Sequence, residues 1–230
     1  MKLPRPLLEG VLVRRYQRFL ADVRLSDGSL VTAHTPNTGS MKQCAVPGHR
    51  VLLSRSDNPA RKLAYTLELI EVGGYWVDTH TQRSNRVVEE ALKSGVIAEL
   101  QGFEVRREVR FGASRMDFLL ENESEKVLLE VKNVTLCCRP GVACFPDAVT
   151  LRGQRHLQEL HTSLEQGYRA VIFFLVQRGE ATAFSPADEI DPVYGRLLRE
   201  VCAAGVEALA YRTQVTTCDN RIGGKLPVVL

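Results

Sequence analysis

Three charged side chains interrupt two apolar runs. Asp117 sits in Ser114-Arg115-Met116-Asp117-Phe118-Leu119-Leu120, and Glu130 and Lys132 sit in Leu128-Leu129-Glu130-Val131-Lys132-Asn133-Val134-Thr135. Burying three charges among Phe118, Leu119, Leu120, Leu128, Leu129 and Val131 is unfavourable unless they pair with each other or with a cation. Strand alternation puts Glu130 and Lys132 on one face and Leu129 and Val131 on the other. If the two runs form a hairpin turning between Glu123 and Ser124, residues whose numbers sum to 247 lie opposite one another. Asp117 then faces Glu130 with like charges about 5 Å apart at Cβ, an arrangement that favours a divalent cation between them. Two carboxylates, a backbone carbonyl such as that of Val131, and several waters make an oxygen-rich site suited to Mg²⁺ or Mn²⁺. The Lys132 ammonium could orient or help deprotonate an attacking water, or stabilise charge developing on a phosphate. That chemistry is phosphodiester hydrolysis, although a salt-bridged strand pair would show the same letters.

The elements that must position these groups divide the chain in two. From Gly10 to about Val77, short β-type segments at Val11–Leu25, Leu30–His34, Arg50–Ser54, Ala64–Val72 and Tyr75–Val77 are broken by turn residues such as Asp27-Gly28, Pro47-Gly48 and Gly73-Gly74. Five short strands with poor helical periodicity predict a small barrel of OB type over residues 1–80. After Thr79, Ser84 reads as an N-cap and Val87, Val88, Ala91 and Leu92 fall at helical spacing. Strands are expected around Glu104–Phe111, Arg115–Leu120 and Lys126–Val131, followed by a long loop. A helix at Leu151–Glu165, a strand at Ala170–Val176, a helix at Pro192–Ala204 and a strand at Val206–Tyr211 complete the pattern. This order suits a mixed sheet flanked by helices over residues 81–230, so the fold class is α/β (α+β).

The bulk numbers narrow the classes. The chain has 230 residues, 44% of them hydrophobic and 25% charged, which is ordinary for a folded globule. No apolar run reaches the roughly 18 residues a membrane helix needs, and no signal-peptide pattern opens the sequence, so a cytoplasmic location is expected. Residues 1–80 hold 11 Lys and Arg against 7 Asp and Glu, whereas the remainder holds 19 against 20. The basic excess therefore sits in the barrel, where phosphates would be attracted. Cys44, Cys137, Cys138, Cys144, Cys202 and Cys218 show no CxxC spacing and are expected to be reduced thiols. His156 and His161 share a predicted helix at a spacing of five, which separates their faces, so the histidines are read as surface or capping residues.

The spacing D-x12-E-x-K resembles that of the PD-(D/E)xK nuclease superfamily. Further phrases resemble the sugar fermentation stimulation protein family over nearly the whole chain. They include Arg15-Tyr16-Gln17-Arg18-Phe19-Leu20-Ala21-Asp22, His34-Thr35-Pro36-Asn37-Thr38-Gly39-Ser40-Met41, Asn85-Arg86 with Glu90, and Arg115-Met116-Asp117-Phe118. Glu130-Val131-Lys132-Asn133, Phe145-Pro146-Asp147-Ala148-Val149-Thr150, Arg152-Gly153 and His156-Leu157 continue the match. The resemblance implies an OB-like barrel followed by a PD-(D/E)xK restriction-endonuclease-like domain, DNA binding, and a regulatory link to sugar utilisation. It also implies Asp117 and Glu130 as metal ligands, Lys132 as base or electrostatic helper, and Glu90 as a further acidic group. The loop from His34 to Met41, with Asn37 and Thr38, is then a candidate nucleic-acid contact beside Arg14, Arg15 and Arg18. Arg152 is a candidate near the metal site. Thr35 and Leu151 depart from the pattern, where a Cys and an acidic residue are expected.

Two functions compete: a Mg²⁺-dependent DNA nuclease, and a non-catalytic DNA-binding regulator of sugar (maltose-type) metabolism genes. A metabolite-binding role has no motif behind it, since there is no Gly-rich phosphate loop. DNA is the expected partner, a homodimer is left open, and no membrane is involved.

Overall fold

The computed structural model describes residues 1–37 and 39–230; Thr38, one of the expected contact residues, lies outside the described residues. The first third folds as β1 (Leu7–Tyr16), β2 (Leu20–Leu25), β3 (Leu30–His34), β4 (Arg50–Arg55), β5 (Tyr65–Val72) and β6 (Tyr75–Asp78), in the order β3-β2-β1-β4-β5-β6. Parallel pairing of Ala33 with Tyr65 and His34 with Thr66 joins β3 to β5, closing a five-strand barrel to which β6 is appended. Alternating residues Leu12, Val23, Val51, Leu53, Leu67 and Ile70 fill it and are at most 1% exposed. Each such side chain contributes roughly 1.5–3 kcal/mol on burial. The single stretch expected from Val11 to Leu25 is two strands. The chain reverses through Gln17 (φ 47°) and Arg18 (φ 63°), left-handed positions that sequence reasoning assigns to Gly or Asn, neither of which is present.

The rest forms α1 (Thr81–Lys93), β7 (Glu104–Phe111), β8 (Ser114–Glu121), β9 (Lys126–Val134), β10 (Leu136–Arg139), β11 (Val142–Phe145), α2 (Leu151–Glu165), β12 (Arg169–Val176), β13 (Ala183–Pro186), α3 (Pro192–Ala203), β14 (Glu207–Val215) and β15 (Asn220–Leu226). The main sheet runs β15-β14-β12-β9-β8-β7, with β9, β12 and β14 parallel and the outer pairings antiparallel. Its central strand β12 is buried over Ala170–Val176 and reads as an unbroken apolar run, as a strand covered on both faces should. On one face Val87, Val88, Ala91 and Leu92 of α1 pack over Phe118, Leu129 and Phe173. On the other, Leu157 and Leu160 of α2 and Tyr194 and Leu198 of α3 pack over Leu128, Ile172 and Phe174.

Helix starts follow their caps. Thr150 accepts from Gly153 N–H to open α2, and Asp191 accepts from Tyr194 N–H ahead of Pro192 to open α3. In contrast α1 begins three residues before the expected cap: Ser84 is buried within it, and His80 precedes it without a side-chain cap. The loop expected before α2 contains the hairpin β10–β11, which pairs in parallel with β13. This hairpin corrects the cysteine expectation. Cross-strand packing brings the Cα atoms of Cys138 and Cys144 to 5.9 Å and joins them in a disulfide, while Cys44, Cys137, Cys202 and Cys218 are free.

Barrel and sheet domain are joined by polar contacts. Arg83 of α1 pairs with Glu68 of β5 and with Asp78 of β6, the latter at 3.0 Å, and all three are at most 6% exposed. Asp78 Oδ2 accepts from Asn220 at 2.9 Å, and the Ser54 hydroxyl donates to Glu68 Oε1. Ahead of β1, the Lys2 backbone pairs with that of Asp219 in an isolated antiparallel β-bridge, and Leu3 N–H donates to the Cys218 carbonyl at 2.9 Å. Among the described residues no helix is long and apolar enough to cross a membrane.

Candidate active site

The β8–β9 hairpin has the predicted register. Glu121 pairs with Lys126, Leu120 with Val127, Leu119 with Leu128 and Phe118 with Leu129. Asn122 fixes the turn by accepting from Ser124 N–H and Glu125 N–H, both at 2.9 Å. The ladder stops one pair short of the functional residues. Asp117 does not continue it; its Oδ2 accepts from Val131 N–H at 2.8 Å and its Oδ1 from the Asn85 side chain of α1 at 2.7 Å.

Glu130 and Lys132 lie on one face, as alternation requires, with Lys132 Nζ 2.7 Å from Glu130 Oε1. His156 of α2 completes the cluster at 1% exposure. Arg152 Nε–H lies 3.3 Å from His156 Nε2, so Nε2 carries the lone pair and Nδ1 carries the proton. That proton is donated to Glu130 Oε1. Lys132 Nζ stands 3.1 Å from the same Nδ1, and both donors converge on one carboxylate oxygen. Glu130 Oε2 is buried with no hydrogen-bond partner among the described residues. Burial alone would push the Glu130 carboxyl up, but the Lys132 ammonium and His156 hold it down at about 2. Asp117 goes the other way: burial first, and then the Glu130 charge, push it up to about 6.

Asp117, Glu130 and Lys132 line a cleft of about 870 Å³ between barrel and sheet domain, with His156 behind them. Arg15, Arg18, Asn37 and Ser40 line the barrel side, Ser84 and Asn85 come from α1, and Phe145–Thr150 and Arg152 form the opposite wall. Two of the expected contact residues prove to be braces. The Arg15 guanidinium donates to the carbonyls of Arg18 (2.6 Å), Asn37 (2.8 Å), Gly39 (3.1 Å) and Ser40 (3.2 Å). Asn37 donates to the Thr79 carbonyl at 2.9 Å and accepts from Gly39 N–H at 2.7 Å. The braced loop grips the other wall, with Ser40 Oγ 2.9 Å from the Asp147 carbonyl and Met41 N–H 3.2 Å from Asp147 Oδ2. Gly39 permits this approach, since a Cβ there would lie 2.8 Å from Asp147 Oδ2.

Other expected residues lie elsewhere. Arg14 is outside the cleft, bound to Asp22 at 2.7 Å and stacked over Tyr16. Glu90 is exposed and pairs with the Met1 amine, away from the cleft; the helix faces Asn85 towards Asp117 instead. Leu151, at the position where an acidic residue was expected, is 76% exposed. The reading of His156 as a surface or capping residue is corrected, because α2 turns it inward beside Leu157 and Leu160. Its place in His156-Leu157 was visible, but its partner was not.

The donor set can be tested against a divalent cation. Among the described residues no three His, Cys, Asp or Glu side chains converge as a full cage. Two neighbouring carboxylates, one with an orphaned oxygen and the other pushed up by burial and then by its neighbour's charge, nevertheless fit a hard cation. Such a cation completes its shell with water, a backbone carbonyl and phosphate oxygens.

Comparison with known proteins agrees with this architecture. The family model for the SfsA N-terminal OB domain matches residues 13–78, and that for the sugar fermentation stimulation protein RE domain matches residues 82–219. The sugar fermentation stimulation protein homolog of Syntrophotalea carbinolica is 66% identical over 230 residues, covering 100% of both chains. That of Geobacter sulfurreducens is 59% identical over 231 residues, covering 100% of this chain and 99% of the relative. The solved structure of Pyrococcus furiosus SfsA in complex with Ca²⁺ superposes with a TM-score of 0.90 at 29% identity, covering 100% of each chain. With an OB barrel ahead of a restriction-endonuclease-like mixed sheet, matched along its whole length, the chain belongs to the sugar fermentation stimulation protein family.

Proposed function

We propose that this chain binds DNA through its cleft and hydrolyses phosphodiester bonds with Mg²⁺ or Mn²⁺ held by Asp117, Glu130 and the Val131 carbonyl. The observation that carries the reading is the buried, unpartnered Oε2 of Glu130 beside the raised Asp117 carboxyl. The solved Pyrococcus furiosus relative holds Ca²⁺, which supports a cation in the family. A bound cation would polarise a phosphoryl oxygen and lower the pKa of a water. The residues do the rest. Asn85 and Val131 N–H fix the Asp117 carboxylate, and His156 fixes Glu130. Lys132, anchored on Glu130 Oε1, stabilises charge developing on the phosphate. Arg18 and Arg152 on the cleft walls draw the backbone in. Residues 1–80 would act as the nucleic-acid-binding barrel and 81–230 as the nuclease-like domain.

The test is calorimetric titration of Mn²⁺ into wild type and Asp117→Ala, then cleavage assays on single-stranded, duplex and branched DNA. Ion binding lost in the variant, with cleavage lost alongside, is expected. No cleavage that Asp117→Ala abolishes, on any substrate, would leave the second reading: a non-catalytic DNA-binding regulator of sugar metabolism genes. That reading is favoured by the engagement of Lys132 with Glu130, and it requires DNA binding to survive both Glu130→Ala and chelation.

A further inference from the structure

Four arginines on α2 and the β7–β8 hairpin, one of them on the cleft wall, are placed where folding stability disfavours them. Arg110 and Arg115 are direct cross-strand partners in the β7–β8 hairpin, and like charges opposite one another in a ladder are destabilising. Glu108 lies 3.4 Å from Arg115. Among the described residues the other ion pairs of this edge go to Arg106 and Arg107, and Arg110 has none. Arg152 and Arg155 occupy the first turns of α2, where the helix dipole disfavours cations, and no acidic residue accompanies them in the first turn. Both are exposed.

The two pairs are contiguous. Arg152 forms part of the cleft wall, Arg155 stands about 4.5 Å further along the helix axis, and its Nε donates to Ser114 Oγ at 3.2 Å. Ser114 is the neighbour of Arg115. A strip of four arginines therefore runs from the mouth of the cleft along α2 to the end of the hairpin, outnumbering Glu108 and Glu159 at its hairpin end, and it ends on β8, the strand that carries Asp117.

We infer that this strip carries the sugar-phosphate backbone of the nucleic acid flanking the cleft, so that the bound DNA leaves across α2 and the β7–β8 hairpin and not across the far edge of the sheet. The inference rests on the DNA-binding reading above. Guanidinium groups suit phosphate oxygens in a paired geometry, and contacts of this kind position the duplex without reading its sequence.

The experiment is fluorescence anisotropy of a labelled random-sequence duplex, in Ca²⁺, with full-length wild type, Arg110→Glu/Arg115→Glu, the milder Arg110→Gln/Arg115→Gln, and a control pair Arg196→Glu/Arg221→Glu elsewhere on the surface. Loss of two phosphate contacts, each adding roughly 0.9 to the salt slope, should weaken binding about tenfold and flatten the slope by about two. The Gln pair should show part of that loss, the control pair should bind like wild type, and Mn²⁺ affinity should be unchanged throughout. Wild-type affinity and slope in both hairpin variants, with wild type binding well, would remove the strip and leave the DNA reading standing. A wild type that binds no DNA would remove both.

Discussion

The molecule contains two buried clusters in which acids meet a cation, and they are finished to different degrees. At the junction of barrel and sheet, Glu68 and Asp78 flank Arg83, and each of the four carboxylate oxygens accepts at least one hydrogen bond, from Arg83, Ser54, His80 N–H or Asn220. In the cleft, Lys132 and His156 crowd onto one oxygen of Glu130 and leave the other without a partner. Buried polar groups are normally satisfied, so the junction behaves as structure. The cleft cluster is the one whose carboxylate is left incompletely satisfied among the described residues.

This contrast can be broken by substitution. The largest effect is expected at the junction: Arg83→Met would leave two buried carboxylates without their cation and should destabilise the fold by about 3–5 kcal/mol, read as a shift in the guanidinium midpoint. A change under about 1 kcal/mol would mean the junction is as tolerant as a surface pair.

In the cleft the sign should reverse. The Asp117 carboxyl titrates at about 6 in the folded protein, above its unfolded value of about 3.9. Between those two values the native state binds more protons, so this group's contribution to stability is full below about pH 4 and is lost as pH rises through about 6. Asp117→Asn should therefore stabilise the metal-free protein at neutral pH by about 3 kcal/mol and flatten the pH dependence in that window. Urea midpoints measured across the pH range test this, and excess Mn²⁺ should stabilise wild type alone. A variant less stable than wild type without metal would show that Asp117 is structural. The smallest effect is expected at Glu90, which pairs with the Met1 amine. Glu90→Gln should leave Mn²⁺ affinity as it is, and a tenfold loss by calorimetry would restore it to the site.

The hairpin register and the shared face of Glu130 and Lys132 were legible because β periodicity is local and Asn122 closes a short turn. Helix facing was harder. Glu90 is five residues from Asn85, about 140° around α1 at 100° per residue, and only packing against the sheet decides which of them meets Asp117. The same holds for His156, whose partner Glu130 is 26 residues away. Arg15 and Asn37 lie at the cleft as expected, but the sequence could not show that the Arg15 terminal nitrogens and the Asn37 side chain bond backbone atoms, while Arg15 Nε is left without a partner among the described residues. β13 and β15 were missed because Ala183-Phe184-Ser185-Pro186 is short and Gly223-Gly224 interrupts the edge strand.

The pairing of Lys2 and Leu3 with Asp219 and Cys218 bears on how the chain is made. Ribosomes add about 5–20 residues per second, so the segment leading into the barrel waits until Cys218 and Asp219 have been made before it can pair. The barrel's own pairings close within residues 7–78, and it can form early. Its docking onto the sheet cannot be completed until Asn220 at the start of β15 has emerged, so the cleft is assembled after the barrel that forms one of its walls.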